Sequence, residues 1–258
     1  MLITYTIAAV LTFVFTTVLT ISGVGAAFIL IPVYYALGID LRIAMAVALL
    51  LNCIAMVCAQ PRFIRQKLVM WDVSLPIVVI ATLLSPIGAY TSKYTPKDAL
   101  LWMFIGFLIF AATMMIFHHA KQRQQQPTRT RLWKYGGSVG ALAGFLGGLL
   151  GVGGGNFIVP VIVWLGFDPK KASATTSFVV IFSSFAGFLG HATLGHISWS
   201  LLIMTAIGSA LGAIVGAWLM TDKLNRDQVK IIIGLVLYAV AAQMIWKLLA
   251  YYSGHGKL

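Results

Sequence analysis

The chain has 258 residues, of which 60% are hydrophobic and 9% charged, with no Glu and a mean hydropathy of +0.95, which excludes an ordinary soluble domain. Its formal net charge of +12 would suit a nucleic-acid binder. The Lys and Arg, however, fall in short clusters between apolar spans, as side chains facing anionic headgroups do, so nucleic acid is excluded and the lipid bilayer is the expected partner.

A bilayer core of ~30 Å takes ~20 apolar residues per helix, and residues 1–39, 43–61, 73–92, 99–120, 135–167, 172–221 and 231–246 carry no charged side chain. The predicted class is an all-α, multi-pass integral membrane protein. The N-terminus lacks a basic segment and a small-residue cleavage site, so residues 1–21 are read as retained rather than as a signal peptide. The first hydrophobic unit, 4–37, is too long for one helix and short for two spans, and Ser22-Gly23-Val24-Gly25-Ala26-Ala27 interrupts it. A broken helix or a re-entrant pair of half-helices fits that pattern. The second unit, 43–61, carries Asn52 as its main polar residue, read equally well as an interhelical hydrogen bond or a ligand contact. Its Cys53 and Cys58 point to different faces of one helix, which argues for apolar packing rather than a disulfide. Units at 69–92 and 99–118 follow, and then a Gln-rich basic stretch from His118 to Arg131 that cannot enter hydrocarbon. The division is thus a first repeat at 1–120, a linker at 121–134 and a second repeat at 135–258.

The second half repeats the order with units at 135–166, 172–191, 198–220 and 228–251. Its first unit contains Gly147-Gly148-Leu149-Leu150-Gly151-Val152-Gly153-Gly154-Gly155-Asn156 and then Pro160. Its second opens with Thr175, Thr176 and Ser177 and holds Ser183 and Ser184, which read as packing residues. His191 and His196 share a short loop without Cys or Asp nearby, so an interfacial role is favoured over a metal site. Asp40 and Asp168 lie in matched turns beside Arg42 and Lys170, where they cap the helix that follows.

The halves are copies. Residues 23–106 moved forward by 128 positions place Gly23 and Gly25 on Gly151 and Gly153, Pro32 on Pro160, Asp40 on Asp168, Trp71 on Trp199 and Gly88-Ala89 on Gly216-Ala217. Duplicated, Gly-interrupted membrane units are the signature of transporters, whose substrate site lies where the copies meet. The turn between the second and third units carries Arg62, Arg65 and Lys67 in the first copy, but Ala192–Ser198 of the second carries no Lys or Arg. By the positive-inside rule these loops lie on opposite sides, so the repeats are expected to be inverted. The broken unit must then enter and leave on one face, or span differently in the two copies. Lys93 and Lys97, which would face outward, are the exception.

The chemistry gathers at the breaks. Glycine permits φ > 0, so the helix can unwind within the bilayer, and the half-helix that follows presents N–H groups and partial positive charge to the gap. The competing reading is that the glycines serve only close helix packing. Duplication and the adjacent Asn156 and Ser22 favour a site. Its candidates are Ser22, Gly23, Gly25, Asn52, Gly153, Gly154, Gly155 and Asn156, with Thr175, Thr176 and Ser177 as further donors or, alternatively, hydroxyls bonded back to their own helix. No carboxylate lies deep in a span, which disfavours a cation carrier, and no catalytic constellation, metal cluster or cofactor motif is present, so an enzyme is not expected.

Gly151-Val152-Gly153-Gly154-Gly155, Val159-Pro160, Leu165-Gly166-Phe167-Asp168-Pro169-Lys170-Lys171-Ala172 and Ala174-Thr175-Thr176-Ser177 together resemble the sulfite exporter TauE/SafE family, and the likeness spans essentially the whole chain. The spacing of His191, Gly195 and Trp199 is also similar. The resemblance implies a permease of the bacterial inner membrane for a small sulfur-containing anion: sulfite, sulfoacetate or another organosulfonate. The first copy departs from the motif, with Ala26-Ala27 in place of two glycines and Phe28 where Asn156 would stand, so its half of a site is expected to be more apolar or less open. A coupling proton or ion and a homo-oligomer are left open, as are the direction of transport and the substrate. A membrane-embedded scaffold without transport is the alternative, disfavoured because so little polar chain is available for docking.

Overall fold

The computed structural model describes residues 2–23, 25–36, 39, 41–91, 94, 129–191 and 199–252, and 102, 105–106, 108–110, 112–113 and 116–117 between them. All regular structure among the described residues is helical. The first half gives α1 (Leu2–Ser22), α2 (Ala27–Ala36), α3 (Leu41–Arg65) and α4 (Trp71–Thr91). The second gives α5 (Arg129–Leu150), α6 (Gly155–Trp164), α7 (Pro169–His191), α8 (Trp199–Trp218) and α9 (Arg226–Tyr252), with a π-helical turn over Leu219–Lys223 closing α8. Five of these, α3, α4, α7, α8 and α9, hold segments long and apolar enough to cross a membrane. Helix α5 takes in residues 129–134, which composition assigns to the linker. Arg129, Arg131 and Lys134 fall in its first two turns, ahead of the apolar stretch.

The two long first units are broken as their glycines require. Gly23 and Gly25 have φ of 69° and 85°, and their equivalents Gly151 and Gly153 have 70° and 76°. The copies diverge one residue later. Gly154 continues with φ of 78° as the N-cap of α6, whereas Ala26 is not among the positive-φ residues, because a Cβ makes that conformation costly. The C-terminus of α6 closes with Gly166 at φ 91°, its N–H donating to the Val163 carbonyl and that of Phe167 to the Ile162 carbonyl.

Packing follows small residues. Gly136, Gly140, Gly144 and Gly148 form a four-residue stripe on α5 that meets Pro76, Ile77, Ala81 and Ser85 of α4, so the two helices run in the same direction. Gly208, Gly212 and Gly216 of α8 meet Ala9, Phe13 and Thr17 of α1, again in the same direction. A Cβ at any of these positions except Gly136 would press on the neighbour's backbone, which is the close approach that substitutes for hydrophobic driving force between helices in lipid. The first helix of each half therefore packs along the third unit of the other, and α3 crosses α7 between these pairs. Outside, Leu75, Val79, Leu83 and Ile87 on α4 and Ile203, Ile207, Leu211 and Ile214 on α8 form exposed apolar stripes one turn apart, suited to lipid. Polar residues are turned inward: Ser22, Asn52, Ser85, Asn156, Ser173, Thr176 and Ser184 are all buried.

Candidate functional site

The centre of the bundle is built around Asn52, midway along α3. Its Oδ1 accepts a hydrogen bond from the Ala26 N–H at 3.1 Å, at the entrance to α2. Its Nδ2 donates to Ser184 Oγ on α7 at 3.0 Å. Gly25 and Gly153, equivalent positions in the two copies, both abut this amide: a Cβ on Gly25 would overlap Asn52 Oδ1, and one on Gly153 would overlap Ser184 Oγ and crowd Asn52 Nδ2. The two breaks thus converge on one residue. Ser183 Oγ donates to the Gly153 carbonyl at 2.9 Å, and Ser85 Oγ of α4 donates to the Ser183 carbonyl at 2.8 Å.

The first break is held by several protein partners. Ser22 Oγ donates to Leu19 O at 2.8 Å, Gly23 N to Thr20 O at 3.1 Å, and Ser173 Oγ of α7 to Ile21 O at 3.0 Å. Together with the Asn52 bond, these engage Ser22, Asn52 and Ser173, while Thr20, whose hydroxyl has no partner among the described residues, packs against Gly216 of α8.

The second break differs. Gly151 N donates to Gly148 O, and Val152 N and Gly153 N both reach Gly147 O, which closes α5. Gly155 and Asn156 open α6; the Phe157 N–H turns back to the Gly154 carbonyl at 3.1 Å, and the N–H groups of Gly155 and Asn156 come too early in the helix for it to offer them an acceptor. Asn156 is 0% exposed, and among the described residues neither its Nδ2 nor its Oδ1 has a hydrogen-bond partner. Leaving such a group unpaired costs about 1–3 kcal/mol, so a buried, orphaned amide in the first turn of a broken helix is costly unless something else satisfies it.

The three hydroxyls of α7 part company. Thr175 Oγ1 accepts from the Met70 N–H at 3.0 Å and so secures the start of α4. Ser177 Oγ donates back to Ser173 O at 2.9 Å. Thr176 alone is buried with its Oγ1 unpaired. At 100° per residue, Ser173, Thr176, Val180, Ser183, Ser184 and Gly187 share one face of α7, with Thr175 on the other. That face touches Gly23 at one end, through Ser173, and Gly153 further along, through Ser184. Thr176 lies on it between the two. Ser183, Ser184 and Ser173, which sequence reasoning passed over or read as packing, therefore bind the breaks to α7. The signal that could have found them is this serine-threonine stripe at helical spacing.

Charges stay at the ends. Arg62 at the end of α3 pairs with Asp222 in the π-helical turn, and its Nε donates to Thr221 Oγ1 at 2.7 Å. Lys170 Nζ donates to the Thr221 carbonyl at 3.2 Å. The Arg62–Lys67 turn, the start of α7 and the end of α8 therefore share one face of the bundle. Asp168 Oδ1 accepts from the N–H groups of Lys170 and Lys171 at 2.9 and 3.2 Å, the helix cap expected from its position. Cys53 and Cys58 are free. Asp40, His196 and the Ala192–Ser198 loop lie outside the described residues.

Comparison with known proteins agrees with this architecture. The profile of the family described as Sulfite exporter TauE/SafE matches residues 8–244. The chain is 26% identical to the Bacillus subtilis protein named "Probable membrane transporter protein YunE", over 94% of this chain and 98% of that protein. It is 25% identical to the Escherichia coli "Probable membrane transporter protein YfcA", over 90% and 84% of the two chains. A fragment covering 21% of the chain and 12% of its relative is 46% identical to the Arabidopsis thaliana "Sulfite exporter TauE/SafE family protein 1". No solved structure matches.

Proposed function

Because the chain belongs to the sulfite exporter TauE/SafE family and is a multi-pass membrane transporter, we propose that it carries a small sulfur-containing anion, namely sulfite, sulfoacetate or another organosulfonate, across the bacterial inner membrane. The substrate site lies where the two glycine breaks meet, and transport proceeds by alternating access around it. The observation that carries this reading is Asn156: a fully buried amide without a partner, in the first turn of a half-helix whose N–H groups face the break. An oxyanion supplies the acceptors that such an arrangement lacks, and the helix terminus favours its negative charge. The Thr176 hydroxyl is a further donor. A cation would find fewer fitting groups there.

The repeats are inverted in this reading. At the face where Arg62, Lys170 and Thr221 meet, α3 and α8 end and α4 and α7 begin. Helix α5 runs alongside α4 and so sets out from that face, and α6 leads back to it at α7. Helix α1 runs alongside α8 and so sets out from the opposite face, to which α2 returns at the start of α3. Each broken hairpin then opens to its own side. Arg62, Arg65, Lys67, Lys170 and Lys171 mark the first face as cytoplasmic.

Thermal unfolding of the detergent-purified protein tests the ligand class. Sulfite or a small sulfonate should raise the midpoint, and exchanging sodium for potassium at constant anion should not. A midpoint that follows the cation refutes the assignment.

A further inference from the structure

We infer that the two breaks are not equivalent halves of one cradle: the second break alone holds the substrate, and Asn52 occupies in the first the place a substrate oxygen takes in the second. This rests on the proposed anion-carrier reading and narrows its site. At the N-terminus of α2 the Ala26 N–H already has an acceptor, the Asn52 carbonyl oxygen at 3.1 Å. At the N-terminus of α6 the corresponding N–H belongs to Gly154, and no described protein group accepts from it. The residue two positions on is Phe28 in the first copy and Asn156 in the second, so only the second adds a side-chain donor. Asn156 is buried without a partner, and so is Thr176 on α7, the helix that packs against α6. At the first break Ser22, Asn52 and Ser173 are engaged with protein, and the one buried hydroxyl there without a partner among the described residues, that of Thr20, belongs to a side chain packed against Gly216 of α8.

The duplication makes the difference sharper. Asn52 corresponds to Val180 and Ser184 to Met56, so the hydrogen-bonded pair that ties α3 to α7 has an apolar pair as its counterpart. Asn52 turns its acceptor to the first tip and only its Nδ2, already donated to Ser184, to the second. The second tip retains the extra glycines, Gly154 and Gly155, and an unfilled amide. Asn52 is then a positioning residue, which fixes the first tip and reaches Ser184 beside the second.

The two roles separate when stability and affinity are read on the same variants. Calorimetric titration of the full-length protein in detergent with sulfite, and with a small sulfonate, supplies the affinity. Unfolding without ligand supplies the stability. Asn156→Leu should weaken binding roughly 10- to 100-fold while leaving the ligand-free midpoint equal or higher, since it deletes an unpaired buried amide. Asn52→Leu should lower the ligand-free midpoint, because the Ala26 N–H and Ser184 Oγ lose their partner, with a loss of affinity smaller than that of Asn156→Leu. If Asn52→Leu does not fold, Ser184→Ala removes one of its two bonds and is held to the same comparison. The inference is overturned if Asn156→Leu binds as the parent does, or if the Asn52 or Ser184 variant loses as much affinity as Asn156→Leu. Absence of binding by the parent protein to either anion would instead overturn the carrier reading itself, and this inference with it.

Discussion

Replacing Gly25 by Ala adds a single methyl group at the point where both breaks lean on Asn52, and its cost can be assembled from the geometry. The native φ of 85° is one that alanine adopts at a penalty of roughly 1–2 kcal/mol. The new Cβ would overlap Asn52 Oδ1, so the amide must rotate or the tip must withdraw. Overpacking of this kind costs about 1–3 kcal/mol. Movement of the amide also weakens the 3.1 Å bond from Ala26 N, worth about 1 kcal/mol. The three effects together give roughly 3–6 kcal/mol, a large fraction of the stability of a typical domain. Gly106→Ala is the matched control, since it makes the same chemical change in a helical segment where nothing lies within 4 Å of the added atom. It should stabilise by about 0.5–1 kcal/mol through helix propensity. Unfolding of the two variants in one detergent measures the difference directly. Equal midpoints for Gly25→Ala and Gly106→Ala would refute the argument that the first tip is locked against Asn52.

Single cysteines placed in the Arg62–Lys67 turn and in the Ala192–Ser198 loop, in a background lacking Cys53 and Cys58, should be labelled from opposite sides of the membrane; labelling from the same side rules out inverted repeats. Thr176→Val preserves shape and removes an unpaired hydroxyl, so sulfite affinity should fall several-fold with no loss of ligand-free stability, whereas unaltered affinity in titration removes Thr176 from the site. Asp168→Ala should lower the unfolding free energy by about 1 kcal/mol through loss of the cap on α7, and an unaltered midpoint would show that the cap contributes nothing.

Much of this architecture is legible in the chain because the breaks depend on glycine. Gly23, Gly25, Gly151 and Gly153 mark the unwound positions in both copies, and the departure from the motif at Ala26 reappears as a change of backbone conformation. Asp168 caps α7 because a carboxylate two residues before a helical N–H has few other uses. Partnerships across the bundle are another matter. Nothing in the sequence pairs Asn52 with Ser184, 132 positions away, because a hydrogen bond between helices depends on how they cross. The glycine stripe at 136, 140, 144 and 148 is visible as a four-residue period, but the helix it receives is not. The three adjacent hydroxyls of α7 are alike in sequence, and only the fold commits Thr175 to Met70 and Ser177 to its own helix while leaving Thr176 unpaired. Gly154 teaches the same lesson. Its place in the motif marks it as part of the break, yet a Cβ there would strike the Ala143 carbonyl of α5, so a Gly154→Val variant would report packing before binding.

Passage of an anion through the second break is tested by flux of labelled sulfite, in parallel with a labelled sulfonate, into proteoliposomes holding equal amounts of the parent protein or Asn156→Leu, with and without a pH gradient. The parent should move at least one of the two anions well above protein-free vesicles, and Asn156→Leu should move it at least tenfold more slowly at subsaturating concentration. Equal flux through the parent and Asn156→Leu would place the anion's path elsewhere than the second break.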